Sequence, residues 1–165
     1  KDYAVCFGVE PEIWQKAEDN QYVPETLLTE TEIRMPGGHL TITQLIALLN
    51  TIPMEITFVD VDNINRFFNE GPKDFKRPGM AIDREVFSCH PPKIEATVRR
   101  IIGEFRAGAL DEVPIWMDKN GKCMLVRYMA VRDKEGKYLG TLELVQDMGF
   151  AKEHFQPEKR QEEIW

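Results

Sequence analysis

The stretch that most constrains this chain runs from residue 121 to residue 148. It holds two long apolar runs, 122–132 and 137–147, joined by Asp133-Lys134-Glu135-Gly136. The runs are rich in Val, Leu, Met and Tyr, which suit a pleated surface. The join suits a type I turn closed by a glycine in the left-handed region, a common hairpin connection. Just upstream, Asp118-Lys119-Asn120-Gly121 repeats the D-K-x-G pattern after the apolar segment 113–117. The expectation is an antiparallel meander of three consecutive strands.

A further hairpin is expected from 55–60 and 64–69, turning at Asp62-Asn63. Two helices accompany these strands. In the first, Thr41 and Gln44 have capping-box spacing, and Ile42, Leu45, Ile46, Leu48 and Leu49 follow before Asn50 and Pro53 end it. So wide an apolar face has to be buried, against the sheet or against a second copy. The second helix is the strongest in the chain. Ile94, Val98, Ile101, Ile102 and Phe105 form one stripe, with Pro91 at its start and Gly108 just past its end. His90, ahead of a proline, falls at the N-cap or beside it. The class implied is α+β, a five-stranded antiparallel sheet with helices packed on it.

Alternation along 123–131 puts Met124, Val126, Tyr128 and Ala130 on one face and Cys123, Leu125, Arg127, Met129 and Val131 on the other. Both faces are largely apolar, so each needs cover. The 94–105 stripe is expected on one side and the 42–49 helix on the other. Residues 1–38 read as an arm or linker, with a short helix at 11–17 and a firm break at Met35-Pro36-Gly37-Gly38. The domain proper is expected at 39–150, and a polar tail at 151–165. Residues 81–87 are too short a run to classify.

A net charge of −7 argues against binding to nucleic acid or to an anionic membrane surface. No apolar run approaches the roughly 20 residues that span a bilayer. Three widely spaced cysteines suggest neither a disulfide framework nor a zinc knuckle, and a reducing cytoplasm is the simplest setting. The chain begins with Lys, which is expected of a piece of a longer protein.

The strand ending V-R-D-x-x-G, followed by a strand ending Gln146-Asp147, resembles the C-terminal half of a PAS domain. The likeness covers residues 41–148. The string Ser88-Cys89-His90-Pro91-Pro92-Lys93, with Gly37-Gly38-His39-Leu40-Thr41 upstream, is similar to the PAS module that ends certain hemerythrin-linked bacterial and archaeal proteins. The resemblance implies a sensory or interaction module of a larger cytoplasmic protein. It implies a small-molecule pocket with Phe58, His90, Met124, Val126, Tyr128 and Glu143 as candidates. It implies a homodimer, with Ile42, Leu45 and Leu49 as candidate interface residues, and contacts with other domains of the same chain. It also implies that Glu143 points inward, where an acid is costly unless it is paired or protonated. As a ligand anchor it competes with a plain ion pair.

Cys89-His90 is the one pair that suggests chemistry. A helix start favours thiolate and a neutral imidazole. Haem-binding PAS sensors resemble this arrangement, which makes haem a possible cofactor with His90 as its ligand; in those families, however, the ligand lies within the helix. A capping role for His90 and a packing role for Cys89 stand beside that reading. A thiol enzyme at Cys89 would need a base and an orienting group, and His39 and His154 lie outside the expected core. With no phosphate loop, H-E-x-x-H or nucleophile elbow, no catalytic residue or dedicated metal ligand is assigned and the chain is not expected to be an enzyme. Tyr128 and Trp116 can stack on a flat ligand, although strand aromatics are more often core.

Overall fold

Among the described residues there are seven strands and three α-helices, and five of the strands form one antiparallel sheet in the order β4-β3-β7-β6-β5. In this computed structural model the described residues are 31–75 and 79–155, with the side chains of Met80 and Cys89 outside that set. The helix expected at 11–17 and most of the polar tail lie outside the described residues.

The meander forms as the turn chemistry predicts. β5 (Glu112–Lys119), β6 (Lys122–Arg132) and β7 (Tyr138–Asp147) are consecutive neighbours. The two turns are nevertheless different. Between β6 and β7, Asp133 Oδ1 accepts from the amides of Glu135 (3.0 Å) and Lys137 (2.8 Å), and Gly136 sits at φ 83°. Between β5 and β6, Lys119 pairs with Lys122, so the loop is only Asn120-Gly121. Both take positive φ, 55° and 79°, the signature of a type I′ turn. Asparagine tolerates that region, which is why the same D-K-x-G string closes two geometries.

The first hairpin, β3 (Glu55–Asp60) and β4 (Asn65–Phe68), joins the meander through β3 pairing with β7. At that seam Gly140 faces Asp60. A Cβ there would lie 2.2 Å from the Val59 carbonyl oxygen and 2.8 Å from the Phe58 ring, so close packing of the strands requires glycine.

α2 (Pro92–Ala107) crosses one face of the sheet. Its stripe is the core: Val98, Ile101 and Ile102 are buried and Phe105 is fully so. Gly108 closes it at φ 74°, with the amides of Gly108 and Ala109 returned to Phe105 and Glu104. Two 3₁₀ turns, Gly79–Ala81 and Val86–Cys89, occupy the stretch too short to classify from sequence.

Ahead of the sheet, β1 (Glu32–Met35) and β2 (Gly38–Thr41) pair as a hairpin that sequence reasoning missed. The expected break at 35–38 is its turn. α1 (Ile42–Thr51) follows with the capping box as expected. Gln44 N donates to Thr41 Oγ1 (3.1 Å) and Thr41 N donates to Gln44 Oε1 (2.9 Å). The expectation that α1 covers the outer face of the sheet is not met. None of its residues is buried, and its main packing is on β2. The reason lies in how it is tied down. Asn69 Nδ2 donates to the carbonyls of Leu49 (3.1 Å) and Met54 (2.8 Å), and Asn50 and Glu70 exchange two further bonds. These fix the last turn of α1 beside the end of β4. The outer face keeps Trp116 61% exposed, with Leu125, Met129, Leu142 and Leu144 half-buried.

Candidate functional site

A cavity of about 300 Å³ lies between the sheet and α2. Its floor comes from the inward positions of four strands: Thr57 and Val59 of β3, Thr141, Glu143 and Val145 of β7, Val126 and Tyr128 of β6, and Ile115 and Met117 of β5. Ile94, Val98 and Ile102 of α2 form its roof, and Ala81, Val86, His90 and Pro91 its side wall. Ile94 is also 49% exposed, so it stands at the mouth.

The strand register sorts the floor into rows. Thr57 faces Glu143, and Glu143 faces Tyr128, so three polar side chains cross the sheet in one line. The row on one side holds Val145, Val126 and Ile115, and the row on the other holds Val59, Thr141 and Ala130. Thr141 is turned away from ligand chemistry, since its hydroxyl is hydrogen-bonded to Tyr138 Oη at 2.8 Å. The cavity is therefore an apolar box with one polar line across its floor.

His90 reaches the wall from the end of the second 3₁₀ turn. Pro91 is the N-cap of α2, so His90 is the residue before it. The ring Nδ1 lies 2.8 Å from the Val86 carbonyl oxygen. A carbonyl only accepts, so Nδ1 donates, and a neutral ring then presents Nε2 as an acceptor. The side chain of Cys89 lies outside the described residues.

One edge of the cavity is locked electrostatically. The buried Glu55 carboxylate accepts from the amides of Asp74 and Phe75. Lys119 Nζ donates to the Asp74 carbonyl at 2.7 Å and lies 3.3 Å from the centre of the Phe75 ring. Lys122 Nζ meets Asp74 Oδ1 at 2.7 Å, a hydrogen bond that raises its pKa above the ordinary lysine value. Together they hold the Phe75 ring against the cavity, where it packs on Met124, Val126 and Val145.

Of the residues expected in a pocket, His90, Val126, Tyr128 and Glu143 all line it. Phe58 does not. Strand alternation turns Thr57 and Val59 inward, which sends Phe58 to the outer face against Gly140. Met124 shares the inward face but is buried in the core beyond the cavity, beside a second, more polar hollow near Asp74 and Asp147. Ile42, Leu45 and Leu49 are half-buried on α1, away from the cavity. Thr57 and Val59 were within reach of period-two reasoning. Val86 and Phe75 were not, because short turns and loops carry no periodic signal. Among the described residues no group of three or more His, Cys, Asp or Glu side chains is placed to hold a metal ion.

Sheet order, helix placement and cavity can now be set beside known proteins. A family model described as a PAS domain matches residues 45–149. This chain belongs to the PAS domain family. The C-terminal domain of a Streptococcus mutans protein is 37% identical, superposes with a TM-score of 0.71, and is covered over 97% of its length by 74% of this chain. The PAS domain of a Colwellia psychrerythraea protein is 15% identical at a TM-score of 0.47, with coverage of 64% of this chain and 95% of that one. VqmA of Vibrio cholerae, solved as a complex with ligand and DNA, is 20% identical at a TM-score of 0.46, over 67% of this chain and 52% of that one. A comparison with curated proteins finds no match. No helix among the described residues of this PAS domain is long and apolar enough to cross a membrane.

Proposed function

We propose that this PAS domain is a sensory module that holds a small molecule between its sheet and α2 and passes its occupancy to a second copy through α1. The observation that carries this reading is the cavity. It is roofed by apolar side chains of one helix and floored by a single polar row, the arrangement of a ligand site. In keeping with the likeness of the 88–93 string, the module belongs to a longer cytoplasmic chain with a hemerythrin-type domain.

The volume bounds the ligand. A cavity of about 150 Å³ takes benzene, so about 300 Å³ suits a molecule of roughly twelve non-hydrogen atoms. A haem macrocycle is far larger than that, so the geometry gives the haem reading of His90 no support. Native mass spectrometry of protein purified from cells tests the proposal. A copurifying molecule of that size is expected, lost from the cavity-filling variant Val98→Phe while that variant keeps its fold by circular dichroism. A mass retained on folded Val98→Phe, or an empty wild-type protein that no small molecule stabilises, would count against ligand sensing.

A further inference from the structure

Resting on the proposed ligand site, the wall of the cavity fixes one feature of the molecule it takes. The polar groups of the floor are engaged within the protein: Thr57, Tyr128 and Glu143 all have contacts there, and the Thr141 hydroxyl is bonded to Tyr138 Oη. Asn65 Nδ2 donates to the Arg84 carbonyl. His90 is different. Among the described residues its ring makes one hydrogen bond, from Nδ1 to the Val86 carbonyl oxygen at 2.8 Å. That bond settles the tautomer, because the proton sits on Nδ1 and the lone pair of the neutral ring is left on Nε2. It also settles the rotation of the ring, because Nδ1 is held at the backbone of the wall and Nε2 lies on the opposite flank. The main chain beneath is equally fixed. The His90 amide donates to the Phe87 carbonyl at 3.2 Å, and Pro91 confines His90 to its extended φ −119°, ψ 142°. Around the ring the lining is apolar, with Val86, Pro91, Ile94 and Val98. An acceptor held ready in such surroundings gains most from a donor brought in by the ligand.

We infer that the cavity takes a compact, mostly apolar molecule bearing one hydroxyl or ring N–H, and that its hydrogen is donated to His90 Nε2. Molecules of the same shape without that hydrogen bind more weakly. Because the His90 ring is anchored to Val86 and its main chain runs into α2, the donor is placed on the link between the second 3₁₀ turn and the roof helix.

The test uses shape-matched pairs added to the full chain at mildly alkaline pH, where imidazole is neutral, and read by isothermal titration calorimetry. Indole is set against benzofuran, which has an oxygen in place of the N–H, and 2-naphthol against 2-fluoronaphthalene. Bodies of different size tell a misfit apart from a missing donor. In at least one pair the donor is expected to bind roughly fivefold tighter than its counterpart, the usual net strength of a neutral hydrogen bond. His90→Leu, checked for fold by circular dichroism, should remove that preference while the counterpart still binds. Nitrogen NMR puts the same question to the wild-type protein, independently of whether the variant folds. The His90 Nε2 resonance should move when the donor binds and stay when the counterpart does. Equal or tighter binding of the counterpart in both pairs overturns the donor assignment but leaves the sensor reading standing. A preference that survives in folded His90→Leu, or an Nε2 resonance unmoved by the bound donor, overturns it too. Silence from all four probes overturns the assignment and the ligand site together.

Discussion

Asp60 ends β3 with its carboxylate turned back on its own turn. Oδ1 accepts from the amides of Asp62 (2.9 Å) and Ile64 (3.0 Å), and Oδ2 pairs with Arg66, which also reaches Asp83 at 2.7 Å. Burial pulls the Asp60 pKa upward, but the Arg66 hydrogen bond and the two amides outweigh it and hold the carboxyl below its ordinary 3.8. A carboxyl lowered on folding stabilises the fold above its unfolded value and loses that contribution as pH falls through the folded one. Asp60→Asn keeps the acceptor for both amides and removes the charge. Urea unfolding should therefore show the variant weaker by about 1 kcal/mol at neutral pH, a modest figure because Arg66 is half exposed. The gap should close as the pH drops below 3.8. A gap of constant size from neutral to acid would mean that the charge is not its source. The turn at Asp62-Asn63 was legible in the sequence. Its bracing by Arg66 and Asp83 was not, because nothing local brings those residues together. Nor was the place of His90 legible: the fold ties its ring to Val86 and makes it a wall residue of the cavity.

At the scale of elements, legibility followed the strength of the local signal. β5 to β7 and α2 were readable because turn chemistry and a long apolar stripe agree. The four-residue strands β1 and β2 offered no such run. Alternation groups Thr57 with Val59 on β3, yet composition alone points the other face inward, since Ile56 and Phe58 are more apolar than Thr57, which faces the cavity. The position of α1 was misread because a buried asparagine, not its apolar stripe, decides it. Asn69 accepts from Ile56 N (2.8 Å) while donating to Leu49 and Met54, and it is only 2% exposed. Asn69→Leu would orphan those three backbone groups, each worth about 1–3 kcal/mol when buried. A loss of roughly 2–4 kcal/mol in urea unfolding is expected, given partial relaxation toward water. Hydrogen exchange should quicken first in α1, while β5 to β7 hold their protection. Equal acceleration in all elements would contradict the idea that Asn69 is the joint between α1 and the sheet.

For the molecule as a whole, apolar surface is distributed unevenly. The cavity side of the sheet is closed by α2, whereas α1 carries Leu48 at 47% exposure and the outer face of the sheet carries Trp116. A ten-residue helix with no buried residue has little to hold it in water, since short helices depend on packing for stability. Its capping box contributes on the order of 1 kcal/mol and the Asn69 joint fixes only one end. A second copy is the partner that requires no other component. Because α1 is joined through Asn69 to Ile56 of β3, a partner seated on α1 is mechanically connected to one of the strands that floor the cavity. Light scattering on the full chain should therefore give a dimer mass. Replacing Leu45 and Leu49 together by Glu should give a monomer, with the cavity-side core unaffected because neither residue reaches it. Ligand affinity should then persist in the monomer while any ligand-dependent change in association is lost. If the wild-type chain instead remains monomeric at high concentration, the apolar face of α1 is not a self-association surface, and occupancy of the cavity must leave the domain by another route.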